Sequence, residues 1–109
     1  MSLRREEFGE EIGASEYVFQ FPSGAKRPVR LRVGKPYFVA DGEWACPIEL
    51  NGFEPRHPDI RGADSMQSLC LAISLVRARL EDFLAKGGKV LHMDGSECDP
   101  QELWATLGR

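Results

Sequence analysis

The sequence predicts an α+β domain: an antiparallel β-sheet of about four strands, one long helix packed on one face, and a short C-terminal helix. Three observations carry this expectation. The stretch from Gly62 to Lys86 holds a single amphipathic pattern with a stop signal at its end. Ahead of it run segments that alternate apolar and polar residues, separated by turn dipeptides. Behind it, Asp99-Pro100-Gln101-Glu102 has the form of a helix start, with proline at the first helical position.

Taken in order, residues 4–12 are charge-rich and residues 1–7 are expected to be frayed, with Phe8 and Ile12 beginning an edge strand. Tyr17, Phe19 and Phe21 alternate with Val18 and Gln20, a strand signal. Pro22-Ser23-Gly24 turns the chain. From Pro28 to Val33, Val29, Leu31 and Val33 point one way and Arg30 and Arg32 the other, the mark of a strand with one dry and one wet face. The two segments read as a hairpin. Gly34-Lys35-Pro36 breaks the second strand and Asp41-Gly42 turns again. Glu43 to Leu50 reads as a third strand, with Trp44, Cys46, Ile48 and Leu50 on one face and Pro47 off it. Proline cannot donate to a ladder, so the strand is either an edge there or bulged. Asn51-Gly52 is a further turn, and Phe53 to Arg61 reads as a loop with at most a short strand.

The helix start is marked by Asp64 as N-cap, with Gln67 returning a bond to the cap backbone. Met66, Leu69, Ile73, Val76, Leu80, Phe83 and Leu84 form the stripe expected to face the sheet. Gly87-Gly88 ends the helix, because glycine tolerates the left-handed position past a C-cap. Val90 to Met93 is a short strand, Asp94-Gly95 a turn, and the final helix brings Leu103, Trp104 and Leu107.

The 109 residues are expected to form a single domain, and a chain of this length buries roughly 60–70% of its unfolded surface, enough for one core. The net charge of −3 speaks against nucleic-acid binding through overall charge, though a local basic patch stays open. Cys46, Cys70 and Cys98 are scattered, which fits reduced thiols in the cytoplasm. No apolar run approaches a membrane span, and the charged N-terminus lacks the apolar core of a signal peptide.

Two motifs carry a resemblance. Trp44-x-Cys46-Pro47 on a strand, followed by Gly62-x-Asp64-Ser65-Met66-Gln67-Ser68-Leu69 opening a helix, resembles a family of short bacterial domains of unknown function. Gly34-Lys35-Pro36-Tyr37 sits where those proteins have a Gly-x-Pro turn, and the likeness runs from about Gly9 to Asp94. It implies a compact α+β domain and no reaction. The sheet-to-helix half is also similar to HicB-type antitoxin domains, which run strand–strand–strand–helix.

Lys26, Arg27, Arg30, Arg32 and Lys35 form the strongest surface feature, with no acidic side chain among them. They are candidates for an anionic partner such as nucleic acid, or for a solvated face paired with Glu16, Glu43 or Glu49 on neighbouring strands. Cys98, His92 and Asp94 are expected to be ordinary turn residues, since neither a thiol nucleophile with its base nor a full set of metal ligands is visible. His57 shows no partner in the sequence. Trp44 and Cys46 read as core, and Asp64 with Gln67 as capping. Leu71 and Leu75, with Ala78 beside them, form a second apolar strip on the helix. Either the C-terminal helix with Trp104 or a second protein chain covers it. The expected function is a non-enzymatic protein-interaction module that self-associates or meets a protein partner, with no cofactor, metal or membrane. The alternative is binding of nucleic acid or another anion through the basic strand face.

Overall fold

The computed structural model describes residues 8–99 and 101–103; Trp104, Leu107 and the expected frayed segment 1–7 lie outside them. The elements run β1 (Glu11–Gln20), β2 (Lys26–Gly34), β3 (Tyr37–Ala40), β4 (Glu43–Cys46), β5 (Ile48–Asn51), β6 (Ile60–Gly62), α1 (Ser65–Ala85) and β7 (Lys89–Leu91). A short C-terminal helix includes residues 101–103. The expected four-stranded antiparallel sheet is present, in the order β5-β2-β1-β7. A second, three-stranded antiparallel sheet, β3-β4-β6, is added to it. No helix among the described residues is long and apolar enough to cross a membrane.

β1 and β2 form the expected hairpin. Its turn is closed by Phe21 N donating to Ala25 O at 2.8 Å and Gly24 N to Phe21 O at 2.8 Å. Tyr17 and Phe19 on β1 and Val29 and Leu31 on β2 point into the core, as the alternation requires. Register shifts between Glu11 and Gly13, a bulge that leaves Ile12 about half exposed.

The single strand expected over Glu43–Leu50 is two strands in two sheets. Pro47 is the crossing point and is fully buried. β4 before it lies between β3 and β6, and β5 after it is an edge of the larger sheet against β2. The missing proline N–H falls where neither ladder needs a donor, while Pro47 O accepts from Gly34 N at 2.8 Å. Cys46, Pro47 and Ile48 are buried in succession because both sides of the chain meet protein at the crossing.

Asp64 caps α1, its Oδ1 accepting from Gln67 N at 2.7 Å. Gln67 Oε1 accepts from Ala63 N at 2.6 Å, one residue before the expected cap backbone. At the far end Gly87 has φ +93°, with Gly87 N donating to Leu84 O and Gly88 N to Phe83 O. That is the Schellman arrangement, and it satisfies the last carbonyls of the helix.

The buried stripe of α1 is Ser68, Ala72, Val76, Leu80 and Phe83. Met66, expected on it, is 68% exposed. The stripe is rotated toward small residues because α1 packs most closely on β6 and β4. A Cβ on Gly62 would stand 2.5 Å from Ser68 N and 2.8 Å from Ser68 Cα, so only glycine lets the first turn sit there. Farther along, Phe83 stacks on Phe19 at 4.7 Å between centroids and meets Phe21 and Phe53 edge-on at 5.3 Å each. This aromatic cluster ties the helix to the larger sheet.

Candidate functional site

The outer face of the larger sheet holds the basic residues, and carboxylates answer two of them. Arg30 Nη2 donates to both Glu11 oxygens, at 2.9 and 2.8 Å. Arg32 Nε donates to Glu11 Oε1 at 2.8 Å and its Nη1 to Glu49 Oε1 at 2.8 Å. Glu16 stands 3.5 Å from Arg30. Hydrogen bonds from Arg30, then Arg32, hold the Glu11 carboxyl below its ordinary range. The Arg32 guanidinium also lies 3.9 Å above the Phe8 ring. Of the acidic partners expected for this face, Glu16 and Glu49 are there and Glu43 is not. Glu43 pairs with Arg61 at 2.8 Å. The bulge brings Glu11 into register beside Gly34, a placement that no alternation pattern encodes. Lys26, Arg27 and Lys35 are exposed, and Arg27 lies over the Phe21 ring at 5.1 Å. A phosphate arriving here would compete with Glu11 for both arginines.

A second polar cluster sits where the sheets join. Asp59 is buried; Tyr37 Oη donates to its Oδ2 at 2.5 Å, and Arg56 Nη2 to its Oδ1 at 3.3 Å. Cys46 lies close by, fully buried, with its Sγ 3.3 Å from Gly34 O. Burial, reinforced by the Asp59 charge, pushes the Cys46 thiol up to about 11. Cys46 is the core residue that the sequence implies. Trp44 is not: it is half-buried and meets the exposed Phe38 edge-on at 5.7 Å.

His57 has the partner that the sequence hides. Its Nε2 lies 2.8 Å from Glu54 Oε1, and the other Glu54 oxygen accepts from Arg79 Nε at 2.9 Å and from Arg79 Nη2. Burial raises the Glu54 carboxyl, but the hydrogen bonds of Arg79 and His57 outweigh it and leave Glu54 below its ordinary value. The group pins the loop before β6 to α1.

The turn after β7 gathers a third set. Leu91 bridges to Glu97, His92 N donates to Ser96 O at 2.7 Å, and Cys98 N donates to Val90 O at 2.9 Å. Asp94 serves the turn, accepting from Ser96 N at 2.8 Å and Ser96 Oγ at 2.6 Å. Asp99 Oδ1 then accepts from Gln101 N at 2.9 Å, capping the final helix. That helix turns Glu102 back to within 3.1 Å of His92 Nε2. One donor atom each of His92, Cys98 and Glu102 lie within 4.8 Å of one another. Cys98 is buried, and burial followed by the Glu102 and Asp99 charges raises its thiol above the ordinary value. Sequence reasoning paired His92 and Cys98 with Asp94 and missed Glu102, whose only signal is its place in the first turn of a capped helix.

On α1, Leu71 is 45% exposed, whereas Leu75 is half-buried and packs on the core. The strip of Leu71 and Leu75 is therefore split, and its expected cover Trp104 lies outside the described residues. Between Ser65 and Ser74 the exposed side chains of α1 include Met66, Gln67, Cys70, Leu71 and Ser74, and none of the exposed ones is charged; Arg77 follows, with its side chain 38% exposed.

A family model for a domain of unknown function, DUF6968, matches residues 15–100. No curated protein and no solved structure matches the chain significantly. The match covers both sheets from Ser15 onward and all of α1, and the chain belongs to that family.

Proposed function

We propose that this member of the family is a non-enzymatic interaction module that pairs with a second copy of itself through the outer face of α1. The observation that carries the reading is the charge-free exposed face from Ser65 to Ser74, in a chain with 28% charged residues. Depletion of charge marks the centre of protein interfaces. Cys70, Ser74 and Ala78 recur every four residues and are small, which lets a partner helix approach closely. Met66 and Leu71 flank them with apolar, adaptable surface. Arg77 and Glu81, paired at 3.7 Å, bound the face with charge. A two-fold contact brings the same patch to both sides, so an uncharged face is complementary to itself.

Two further features fit this reading. Burial raises both the Cys46 and the Cys98 thiols, which disfavours a nucleophilic role at neutral pH. The Trp44-x-Cys46 and Gly62-x-Asp64-x-x-Gln67-x-Leu69 motifs are then packing signatures: Cys46 fills the sheet crossing, Gly62 admits α1, and Asp64 caps it.

Light scattering over a dilution series tests the reading. The wild type is expected to approach twice the 12.2 kDa chain mass, and Leu71→Glu to give a folded monomer with an unchanged circular dichroism spectrum. A wild type that is monomeric throughout refutes self-association.

A further inference from the structure

We propose that His92, Cys98 and Glu102 bind a single divalent transition-metal ion of borderline softness, with zinc as the best match. The donor atoms lie within 4.8 Å of one another, and His92 Nε2 is 3.1 Å from Glu102 Oε1. Tetrahedral zinc, with Zn–N and Zn–O bonds of about 2.0–2.2 Å and Zn–S of about 2.3 Å, needs N···O near 3.3 Å and S···N near 3.6 Å. The His92–Glu102 edge already meets this, and no edge to the Cys98 sulfur exceeds 4.8 Å, so the thiol has about 1 Å or less to close.

The backbone prearranges the site. The Leu91–Glu97 bridge and the Cys98 N–Val90 O bond set two ligands on one short turn. The Asp99 cap fixes the start of the helix that delivers the third. A thiol, an imidazole and a carboxylate suit zinc and its transition-metal neighbours, whereas calcium and magnesium take oxygen donors. On binding, the Cys98 thiol gives its proton to solvent as the metal–sulfur bond forms. His92 and Glu102 are 36% and 56% exposed, so the fourth position opens toward water. Three protein ligands with an open fourth position is a zinc arrangement that accepts water or a donor from outside. Asp94 is not a ligand, because Ser96 engages it within the turn. The bound metal would clamp the start of the C-terminal helix to the end of β7, a role independent of pairing through α1.

The test uses the full chain, stripped with a chelator and titrated with Co²⁺, then with Zn²⁺. The expected result is one equivalent of Co²⁺ with tetrahedral ligand-field absorption and a thiolate-to-cobalt charge-transfer band, both bleached by Zn²⁺. His92→Ala and Glu102→Gln alter partly exposed side chains and are expected to keep the fold. Each should weaken binding by more than the roughly 10–100-fold that outer-shell changes cost. Cys98→Ser should abolish the charge-transfer band, and Cys70→Ser should leave it intact. Absence of one-equivalent binding overturns the proposal, as does a band that is lost with Cys70→Ser. Should Cys98→Ser not fold, His92→Ala decides: unchanged Co²⁺ affinity in that variant overturns the site.

Discussion

Replacing Gly62 with alanine probes the contact that sets how α1 lies on β6. The new Cβ would stand 2.5 Å from Ser68 N, 2.8 Å from Ser68 Cα and 3.1 Å from Gln67 C. Ordinary contact begins near 3.4 Å, so the first turn of the helix must retreat by about 1 Å. These are backbone atoms, and no rotamer change relieves the clash. Retreat also loosens Ser68, Ala72 and Val76 along the buried stripe. Overpacking of this kind costs about 1–3 kcal/mol, and the lower entropy of the unfolded alanine chain offsets about 0.4–1 kcal/mol of it. The net loss should be about 1–2 kcal/mol. With an unfolding entropy of about 2.1 cal/mol/K per residue over 109 residues, that lowers Tm by about 4–9 °C. Gly13→Ala is the internal control. Its Cβ meets nothing within 4 Å, so that variant should melt at or slightly above the wild-type temperature. Thermal unfolding followed by far-ultraviolet circular dichroism reads both. If Gly62→Ala melts within about 2 °C of the wild type, the close approach of α1 to β6 is wrong.

The thiols should separate by reactivity. Cys70 is exposed and should alkylate first, whereas Cys46, with its thiol pushed up to about 11, should react only on unfolding. Mass spectrometry after brief treatment with iodoacetamide checks this, and equal labelling of Cys46 and Cys70 would contradict it. Glu54→Gln should cost about 1–2 kcal/mol at neutral pH by weakening the link to Arg79 and His57, with the larger value discounted because Arg79 is partly exposed. The lowered carboxyl makes this contribution fully present above the ordinary value of 4.5 and lost as pH falls through the lowered folded value. Urea titrations at several pH values should therefore show wild type and Glu54→Gln converging as pH falls below 4.5 and through the lowered folded value. A gap that stays constant down to pH 2 would show that the charge of Glu54 is not what matters.

The hairpin and the helix were legible because each carries its own local signal. Val29, Leu31 and Val33 alternate with Arg30 and Arg32, and Asp64 and Gly87 punctuate α1. The sheet crossing at Pro47 was not legible. Trp44, Cys46, Ile48 and Leu50 keep one phase across it, so the period gives no sign that the two halves pair with different sheets. β3 was missed because Tyr37-Phe38-Val39-Ala40 is too short and too uniformly apolar to alternate. The face of α1 was misjudged at Met66 because hydrophobic patterns favour large side chains. The close approach at Gly62 requires small ones, Ser68 and Ala72. Of the polar clusters, His57 with Glu54 spans only three residues, but Arg79 joins from α1 and depends on tertiary packing. The same holds for Glu102, which the final helix carries to His92.

Self-pairing through α1 is tested most directly by a spin label on Cys70, the one exposed thiol among the three cysteines. Cys70 lies in the middle of the charge-free face, so pairing of the two helices brings two labels close across the two-fold axis. Electron–electron double resonance on the labelled wild type should give one short intermolecular distance. Adding Leu71→Glu or diluting with unlabelled chain should remove it. Labelled protein whose mass is dimeric but which shows no dipolar coupling would place the interface elsewhere, and a monomeric mass with no coupling would contradict the account outright.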